Sequence, residues 1–519
     1  MLKSSGSIGA ATLTSRILGL VREQVYTAFM GTGLVYGAFT YAFSMPNLFR
    51  RLLGEGALTA AFIPVFKARE KNEGEAAMWR AANAVLSALL LVSGAVVLLV
   101  MGVVSLLLLW GSWKPETRLM LELLRFMFPY MIAACVGAVL IGMCNARGHF
   151  FIPALGAAIL NVVMIASVVL LAPHMGQRLE TQIFALAIGV LVAGVIQAVF
   201  QLPVLHREGF RYHWVTPWHE PVVREVIAKM IPGIVGVAAY QINIYLTQTL
   251  AFGQSARIVG QFFVAARLME LPQGVFGLSL ATFLLPTLAG MAMEKNFVQF
   301  RATLRQGAAH LVFVNLLASV LLLTLAEPIV RLLFERGKFD AYSTQQVSFA
   351  LVFLVPGLIA FSLVNIYARA FYALGDIKTP MRISVFCLVM NLLFTVFFLY
   401  GLKLGPGALG LANSLSATCN FCLLVYALRK KLRTLDMAEL VRQLPRLALA
   451  ALVAALLAWG GRQVWDAYFG HATLPRKLGE VFLPMTAASI AYMALGWLLK
   501  IPSARELFNT LCRKGAAPA

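Results

Sequence analysis

The chain has 519 residues, of which 60% are hydrophobic and only 13% are charged, and its formal net charge is +21. Soluble proteins carry about 45–50% apolar and 25% charged residues, so this composition excludes an ordinary soluble enzyme. In a soluble chain the positive charge would suggest nucleic-acid binding, but in a membrane protein it first indicates orientation.

Apolar stretches follow one another along almost the whole chain. A membrane-spanning helix needs about 20 mostly apolar residues. On this basis we predict an all-α polytopic membrane protein with fourteen transmembrane helices. The predicted spans cover residues 5–29, 34–66, 81–113, 126–146, 148–177, 181–206, 230–256, 258–290, 306–326, 341–368, 383–402, 404–428, 443–466 and 478–500.

An internal repeat relates the two halves of the chain. Pro129 and Pro356 begin segments that match at a displacement of 227 residues, and the loops at 145–153 and 372–380 share their alanine, glycine and proline positions. A second, weaker pair relates the residues from Pro46 to Pro64 with those from Pro272 to Pro286, with a gap. Parallel repeats with proline- and glycine-interrupted helices are typical of transporters that bind substrate between their halves. The alternative is a repeat retained for packing alone.

The repeat predicts two six-helix lobes followed by an added helix pair. The predicted regions are an N-lobe over 1–205, a cytoplasmic linker over 206–221, a C-lobe over 222–430, helices 13 and 14 over 431–503, and a cytoplasmic tail over 504–519. An even number of spans places both termini on one side. Lysine and arginine concentrate in the loops of that side, for example at 429–433, which predicts that both termini are cytoplasmic. Most of the positive charge therefore reflects topology, and we predict no nucleic-acid binding.

Charged residues within the predicted spans are the strongest functional signal. They include, within or directly beside the spans of the two lobes, Arg16, Arg22, Arg50, Arg51, Arg267, Arg369, Glu23, Glu55 and Glu270. A charge at the centre of a bilayer costs at least about 2.5–3.5 kcal/mol, so such residues face a wet cavity, pair with each other or reach the interface. Six cations against three acids favour an anionic substrate with phosphate or several carboxylates, because guanidinium binds such oxygens bidentately.

Individual roles follow from spacing. Arg22, Arg50 and Arg267 are candidate substrate-binding residues, with structural pairing as the alternative. Arg16 lies six residues before Arg22 and therefore points elsewhere around the helix. Glu270 lies three residues after Arg267 and shares its face. Arg51 and Arg369 are expected to pair or to reach the interface, and Glu55 and Glu270 to hold arginines in position.

The rest of the sequence shows no catalytic or metal-binding constellation. The seven histidines are scattered without metal-ligand spacing, and the cysteines lie mainly in apolar stretches, so we predict a transporter with no cofactor and no metal. Of predicted helices 13 and 14, the first is alanine-rich at 447–457. The two helices could form a groove for a lipid tail, or serve as a plain scaffold or dimer contact.

Taken together, four motifs resemble the MurJ (MviN) family, the lipid II flippases of the multidrug/oligosaccharidyl-lipid/polysaccharide exporter superfamily. The motifs lie at 15–22, 46–57, 266–272 and 371–380. The resemblance implies translocation of the undecaprenyl-diphosphate-linked peptidoglycan precursor from the cytoplasmic to the periplasmic face of the bacterial inner membrane. It implies alternating access between the halves, for cell-wall synthesis, with helices 13 and 14 as a lipid-tail groove.

The resemblance also assigns site residues. Arg16, Arg22, Arg50 and Arg267 match the positions that bind the diphosphate head group. Ser15, Asn47, Glu55 and Glu270 match cavity and gating positions. The chain departs from the family pattern at Gly37 and Ala266, where relatives often have acids. Asp376 matches one sodium ligand of some relatives, but its surroundings do not complete a site.

The expected partners are lipid II and membrane lipids, with cell-wall synthesis or division proteins as further candidates. Either the membrane potential or a coupling cation could drive the cycle. Two alternatives remain open. One is a flippase or exporter for another polyprenyl-linked oligosaccharide or a drug, and the other is a membrane enzyme that uses polyprenyl phosphate.

Overall fold

The computed structural model of the chain describes residues 2–54, 57–435 and 438–513, which form helices and their connections without any strand. Contacts divide the chain into two compact units. The first contains the residues up to Gly260 together with Arg336–Phe339, and the second contains Gln261–Glu335 and the residues from Asp340 onward.

The helices of the first unit correspond to the first seven predicted spans. They are α1 (Leu2–Met30), α2 (Leu34–Phe49), α3 (Ala57–Glu73), α4 (Glu75–Trp110), α5 (Pro115–Met127), α6 (Tyr130–Ala146), α7 (Phe151–Ala166), α8 (Leu179–Val199), α9 (Leu202–Arg207) and α10 (Pro221–Gln254). In the core of this unit, α1 packs against α7, α2 against α5, and α6 against α8.

The helices of the second unit cover the remaining spans, and the first residues of α11 belong to the first unit. They are α11 (Ala256–Pro272), α12 (Ser279–Met293), α13 (Phe297–Thr324), α14 (Ala326–Phe334), α15 (Ala341–Leu354), α16 (Leu358–Ala373), α17 (Lys378–Val396), α18 (Pro406–Leu432), α19 (Ala438–Tyr468), α20 (Leu474–Leu498) and α21 (Pro502–Arg513). Helix α18 packs against α15, α16 and α17. Its Gly410 permits this close approach, since a Cβ there would lie 2.7 Å from the carbonyl oxygen of Ala350.

The membrane-spanning character of the chain is confirmed. Within the described residues, nine helices are long and apolar enough to cross a membrane, and the pair α5–α6, bent by 42°, makes ten. Apolar side chains such as Leu98 and Leu99 on α4 are mostly exposed, as expected of a surface that meets lipid. The other four predicted spans correspond to α1, α2–α3, α10 and α11–α12, so fourteen spans are consistent with the fold.

The contact units do not follow the repeat. Helix α10 packs against α2, α3 and α4 and so belongs to the first unit, whereas the predicted second lobe begins at residue 222. Residues Arg336–Phe339 join the first unit through a hydrogen bond of 2.8 Å from the amide of Lys338 to the carbonyl of Ala28. The predicted lobe boundaries depend on the repeat rather than on contacts, and they stay a prediction.

The two loops that the repeat identifies as equivalent have the same backbone geometry. Gly148 and Gly375 both adopt left-handed conformations, with φ of +86° and +72°. The amides of the next residues, His149 and Asp376, each donate to the carbonyl five residues earlier, at 2.8 and 2.9 Å. Both helices therefore end with the same Schellman-type bond, which agrees with the predicted equivalence of the two loops.

In both units the residue after this glycine contacts a residue at the end of the second span that follows the loop. His149 Nε2 lies 2.8 Å from Glu208 Oε1, just beyond α9. This hydrogen bond, and then the one from Arg147, holds the pKa of Glu208 below its ordinary range. In the second unit, Lys431 Nζ at the end of α18 donates to Asp376 Oδ2 at 2.6 Å and lowers the pKa of Asp376 to about 2.

Neutralising Asp376 is expected to lower the free energy of unfolding by about 1 kcal/mol at pH 7, a modest value because Lys431 is partly exposed and the pair is screened. Since the pKa of Asp376 is depressed, its stabilising effect is present above the ordinary pKa of 3.8 and is lost as the pH falls through about 2. Thermal unfolding of Asp376→Asn and the native chain should therefore differ at pH 7 and converge in acid. Lys430→Ala removes an exposed neighbouring cation and serves as the control. A difference independent of pH would contradict the assignment.

The helix breaks predicted from proline and glycine are π-helical turns. One covers Arg50–Gly54 after α2, and another covers Gln273–Leu278 between α11 and α12. A proline precedes each turn, Pro46 in the first unit and Pro272 in the second. The weaker pair of the internal repeat is thus visible in the fold, at segments of a kind frequent in functional sites.

Candidate functional site

Arg22 is held in place by side chains from α1 and α7. Its Nη2 lies 2.5 Å from Glu23 Oε1, and its Nη1 donates to Asn161 Oδ1 at 3.0 Å. Its guanidinium lies 5.8 Å from the ring centroid of Tyr26, and only 13% of its side chain is exposed. Arg22 is therefore oriented by its neighbours, and its buried Nε–H is left without an acceptor among the described residues.

Sequence reasoning did not place Glu23 and Asn161 at the site. Glu23 is 3% exposed, and its Oε2 accepts a hydrogen bond of 2.9 Å from the hydroxyl of Tyr36 on α2. Asn161 Nδ2 donates to the backbone carbonyl of Ser15 at 3.2 Å. These bonds join α1, α2 and α7 around Arg22. The sequence contains one indication of this site, because Asn161 is a polar residue within the charge-free stretch 148–177.

Arg16 and Ser15 complete the predicted residues of α1. Arg16 is exposed, whereas Arg22 is largely buried, so the predicted difference in direction around the helix is confirmed. Ser15 is half-buried and contributes its backbone carbonyl to Asn161.

Arg50 and Arg51 lie side by side in the first π turn and have different partners. Arg50 Nε donates to Asn47 Oδ1 at 2.9 Å, which orients the guanidinium from within its own helix. Arg51 Nη1 donates to Gln241 Oε1 on α10 at 3.3 Å, as expected of a residue that pairs within the structure. Glu55, the predicted acidic neighbour, lies outside the described residues.

Arg267 lies on α11 in the second unit. Its Nη1 is 2.7 Å from Glu270 Oε2, so the pairing predicted from their spacing of three residues is confirmed. The guanidinium also lies 4.9 Å from the ring centroid of Phe263. About a third of the Arg267 side chain and more than half of Glu270 are exposed, which leaves the pair accessible to a ligand.

Both departures from the family pattern fit their surroundings. A Cβ on Gly37 would lie 1.8 Å from the carbonyl oxygen of Ala256, so only glycine permits this approach of α2 to the start of α11. Ala266 packs beside an apolar cluster that contains Met269 and Leu358. An acid at residue 266 would bring a charge into this apolar contact, at considerable cost.

Helices α19 and α20 enclose an open apolar groove of about 370 Å³. Its lining is almost wholly aliphatic and aromatic and includes two adjacent glycines. The lining residues are Leu456, Leu457, Gly460, Gly461, Trp465, Leu483, Pro484 and Ala487. A groove of this chemistry can hold part of a polyprenyl chain, and its role as a lipid-tail groove stays a prediction.

Comparison with known proteins places these features in a family. The family model described as "Lipid II flippase MurJ" matches residues 26–479. "Lipid II flippase MurJ" of Burkholderia cenocepacia is 32% identical over 466 residues, covering 87% of this chain and 89% of the relative. A Vibrio cholerae protein, named "Probable lipid II flippase MurJ", is 32% identical over 489 residues, covering 89% of this chain and 91% of its own length.

Solved structures show the same fold. A structure described as "Lipid II flippase MurJ, inward closed conformation" matches with a TM-score of 0.77 and 21% identity, covering 96% of this chain and 99% of its own. An inward-facing multidrug transporter of the MATE family matches with a TM-score of 0.66 and 17% identity, covering 81% of this chain and 95% of its own. Since the family model and relatives above 30% identity match most of its length, the chain belongs to the MurJ family.

Proposed function

We propose that this chain is a lipid II flippase that moves the undecaprenyl-diphosphate-linked peptidoglycan precursor from the cytoplasmic to the periplasmic face of the bacterial inner membrane, for cell-wall synthesis. The observation that carries the proposal is the match, over nearly the whole chain, to relatives named as lipid II flippases. Guanidinium groups suit this cargo, because they stay charged and bind phosphate oxygens bidentately.

The proposed mechanism is alternating access with both termini in the cytoplasm. Arg16, Arg22, Arg50 and Arg267 bind the diphosphate head group. Ser15, Asn47, Glu55 and Glu270 shape the cavity and support gating, and the groove of α19 and α20 takes the lipid tail. The chain acts as a transporter rather than an enzyme, so the lipid emerges chemically unchanged.

No cofactor enters this mechanism. The membrane potential can act on the charged site, since one elementary charge is worth about 2.3 kcal/mol per 100 mV, and a coupling cation is the other source of drive. The proposed partners are lipid II, membrane lipids and proteins of cell-wall synthesis or division, and nucleic acid is not among them.

Exposure of lipid II on the outer leaflet tests this function. Cells depleted of their own flippase would express the native chain or an empty vector, and labelled lipid II would be treated with an externally added enzyme that cleaves it. We expect cleavage only in cells that express the chain. Absence of cleavage despite normal membrane abundance would favour another polyprenyl-linked oligosaccharide as cargo.

A further inference from the structure

The hairpin between α19 and α20 brings together three side chains of types that bind metal ions, although their spacing in the sequence matches no metal-binding motif. Asp466 lies near the end of α19, His471 lies in the connection, and Glu480 lies in the second turn of α20. Each offers one ligand atom, and these three atoms lie within 4.8 Å of one another. His471 Nδ1 is also 2.9 Å from Asp466 Oδ1, so the hairpin is already drawn together at this point.

Glu480 is the unusual member of this group. It is 1% exposed, and its Oε1 accepts a hydrogen bond of 2.8 Å from Arg331 Nη1. Its Oε2 is buried without a hydrogen-bond partner among the described residues. A buried carboxylate oxygen left in this state is unfavourable, and a bound cation would satisfy it.

The charged residues around Glu480 form a cluster in which acids outnumber permanent cations among the described ion pairs. Arg331 is shared among several acids, since it also lies 2.7 Å from Glu327 and 3.8 Å from Glu335. Glu327 in turn binds Arg462, and Glu335 binds Lys477. The ion pairs described for this cluster thus involve four carboxylates, counting Asp466 and Glu480, and three permanent cations.

We propose that Asp466, His471 and Glu480 form a binding site for a divalent transition metal, with zinc as the best fit. One imidazole nitrogen and two carboxylate oxygens are typical zinc ligands, and water would complete a tetrahedral set. Calcium and magnesium prefer oxygen ligands alone, which the histidine does not supply. The metal joins the ends of α19 and α20 and so stiffens the hairpin beside the apolar groove. This role is independent of lipid II transport.

Zinc binding to the purified full-length chain in detergent tests the site. We expect equilibrium dialysis to give one zinc per chain for the native protein, and His471→Ala and Asp466→Asn to weaken binding by about tenfold or more. These variants leave the bond between Glu480 and Arg331 in place, so the fold should persist. His174→Ala removes an exposed histidine from another loop and is the matched control. Zinc should raise the unfolding temperature of the native chain and of the control, but not that of the hairpin variants.

Two results would overturn the site. One is a native chain that retains no zinc after dialysis at neutral pH. The other is a His471→Ala variant that binds zinc as tightly as the native chain, since the ion would then lie elsewhere. Because neither readout involves lipid II, failure here leaves the proposed transport function untouched.

Discussion

Replacing Arg50 by alanine is expected to abolish outward transport of lipid II while leaving membrane abundance unchanged. Arg50 lies in a π turn and is oriented by Asn47, so its guanidinium is held ready for an anionic head group. Arg50→Ala would remove one partner of the proposed pair between this guanidinium and the diphosphate. Loss of one partner of a buried charge pair costs about 2–5 kcal/mol, which corresponds to a fall in transport of about thirtyfold or more. Arg50→Lys keeps the positive charge but loses the planar guanidinium, which can bind two phosphate oxygens at once. We expect this variant to transport at an intermediate rate.

The adjacent arginine provides the control. Arg51 lies in the same π turn, but its Nη1 is occupied by Gln241. Arg51→Ala should therefore retain most of the transport measured by external cleavage of labelled lipid II. Equal loss in Arg50→Ala and Arg51→Ala would mean that the turn, rather than the guanidinium of Arg50, is what transport requires.

Replacing Gly37 by aspartate is expected to destabilise this chain severely. The added Cβ would lie 1.8 Å from the carbonyl oxygen of Ala256, and a backbone atom cannot move aside as a flexible side chain can. Overpacking of a core costs about 1–3 kcal/mol, and we expect Gly37→Asp to reach or exceed the upper end. Gly37→Ala should show most of this effect, because the steric contact requires only the methyl group.

Thermal unfolding in detergent, together with the monodisperse fraction after purification, measures this loss. Gly33→Ala is the matched control, because Gly33 precedes α2 with φ of −74° and a Cβ there would meet nothing within 4 Å. A Gly37→Asp variant as stable as the native chain would show that α2 and the start of α11 do not pack this closely.

Local features were predictable because their causes are local in the chain. Apolar runs predicted the spans, and the glycines of the two equivalent loops, Gly148 and Gly375, predicted their shared geometry. The pairing of Arg267 with Glu270 followed from a separation of three residues on a helix. In each case residues within about one or two turns determine the structure.

Contacts between distant residues were not predictable from one sequence. Asn161 is 139 residues from Arg22, and no local pattern indicates that they bond. The same applies to Arg331 and Glu480, which are 149 residues apart. Such contacts depend on how whole helices pack, so sequence reasoning identified the arginines of the candidate site but missed Asn161, which orients Arg22 from another helix.

The prolines on either side of the two π turns show where the two halves of the chain differ in length. Pro46 and Pro64 are separated by 18 residues, whereas Pro272 and Pro286 are separated by 14. Pro64 is the eighth residue of α3, and Pro286 is the eighth residue of α12. The difference of four residues therefore lies before these two helices begin. An insertion at the break lengthens the connection and leaves the proline of the following helix at the same place in that helix.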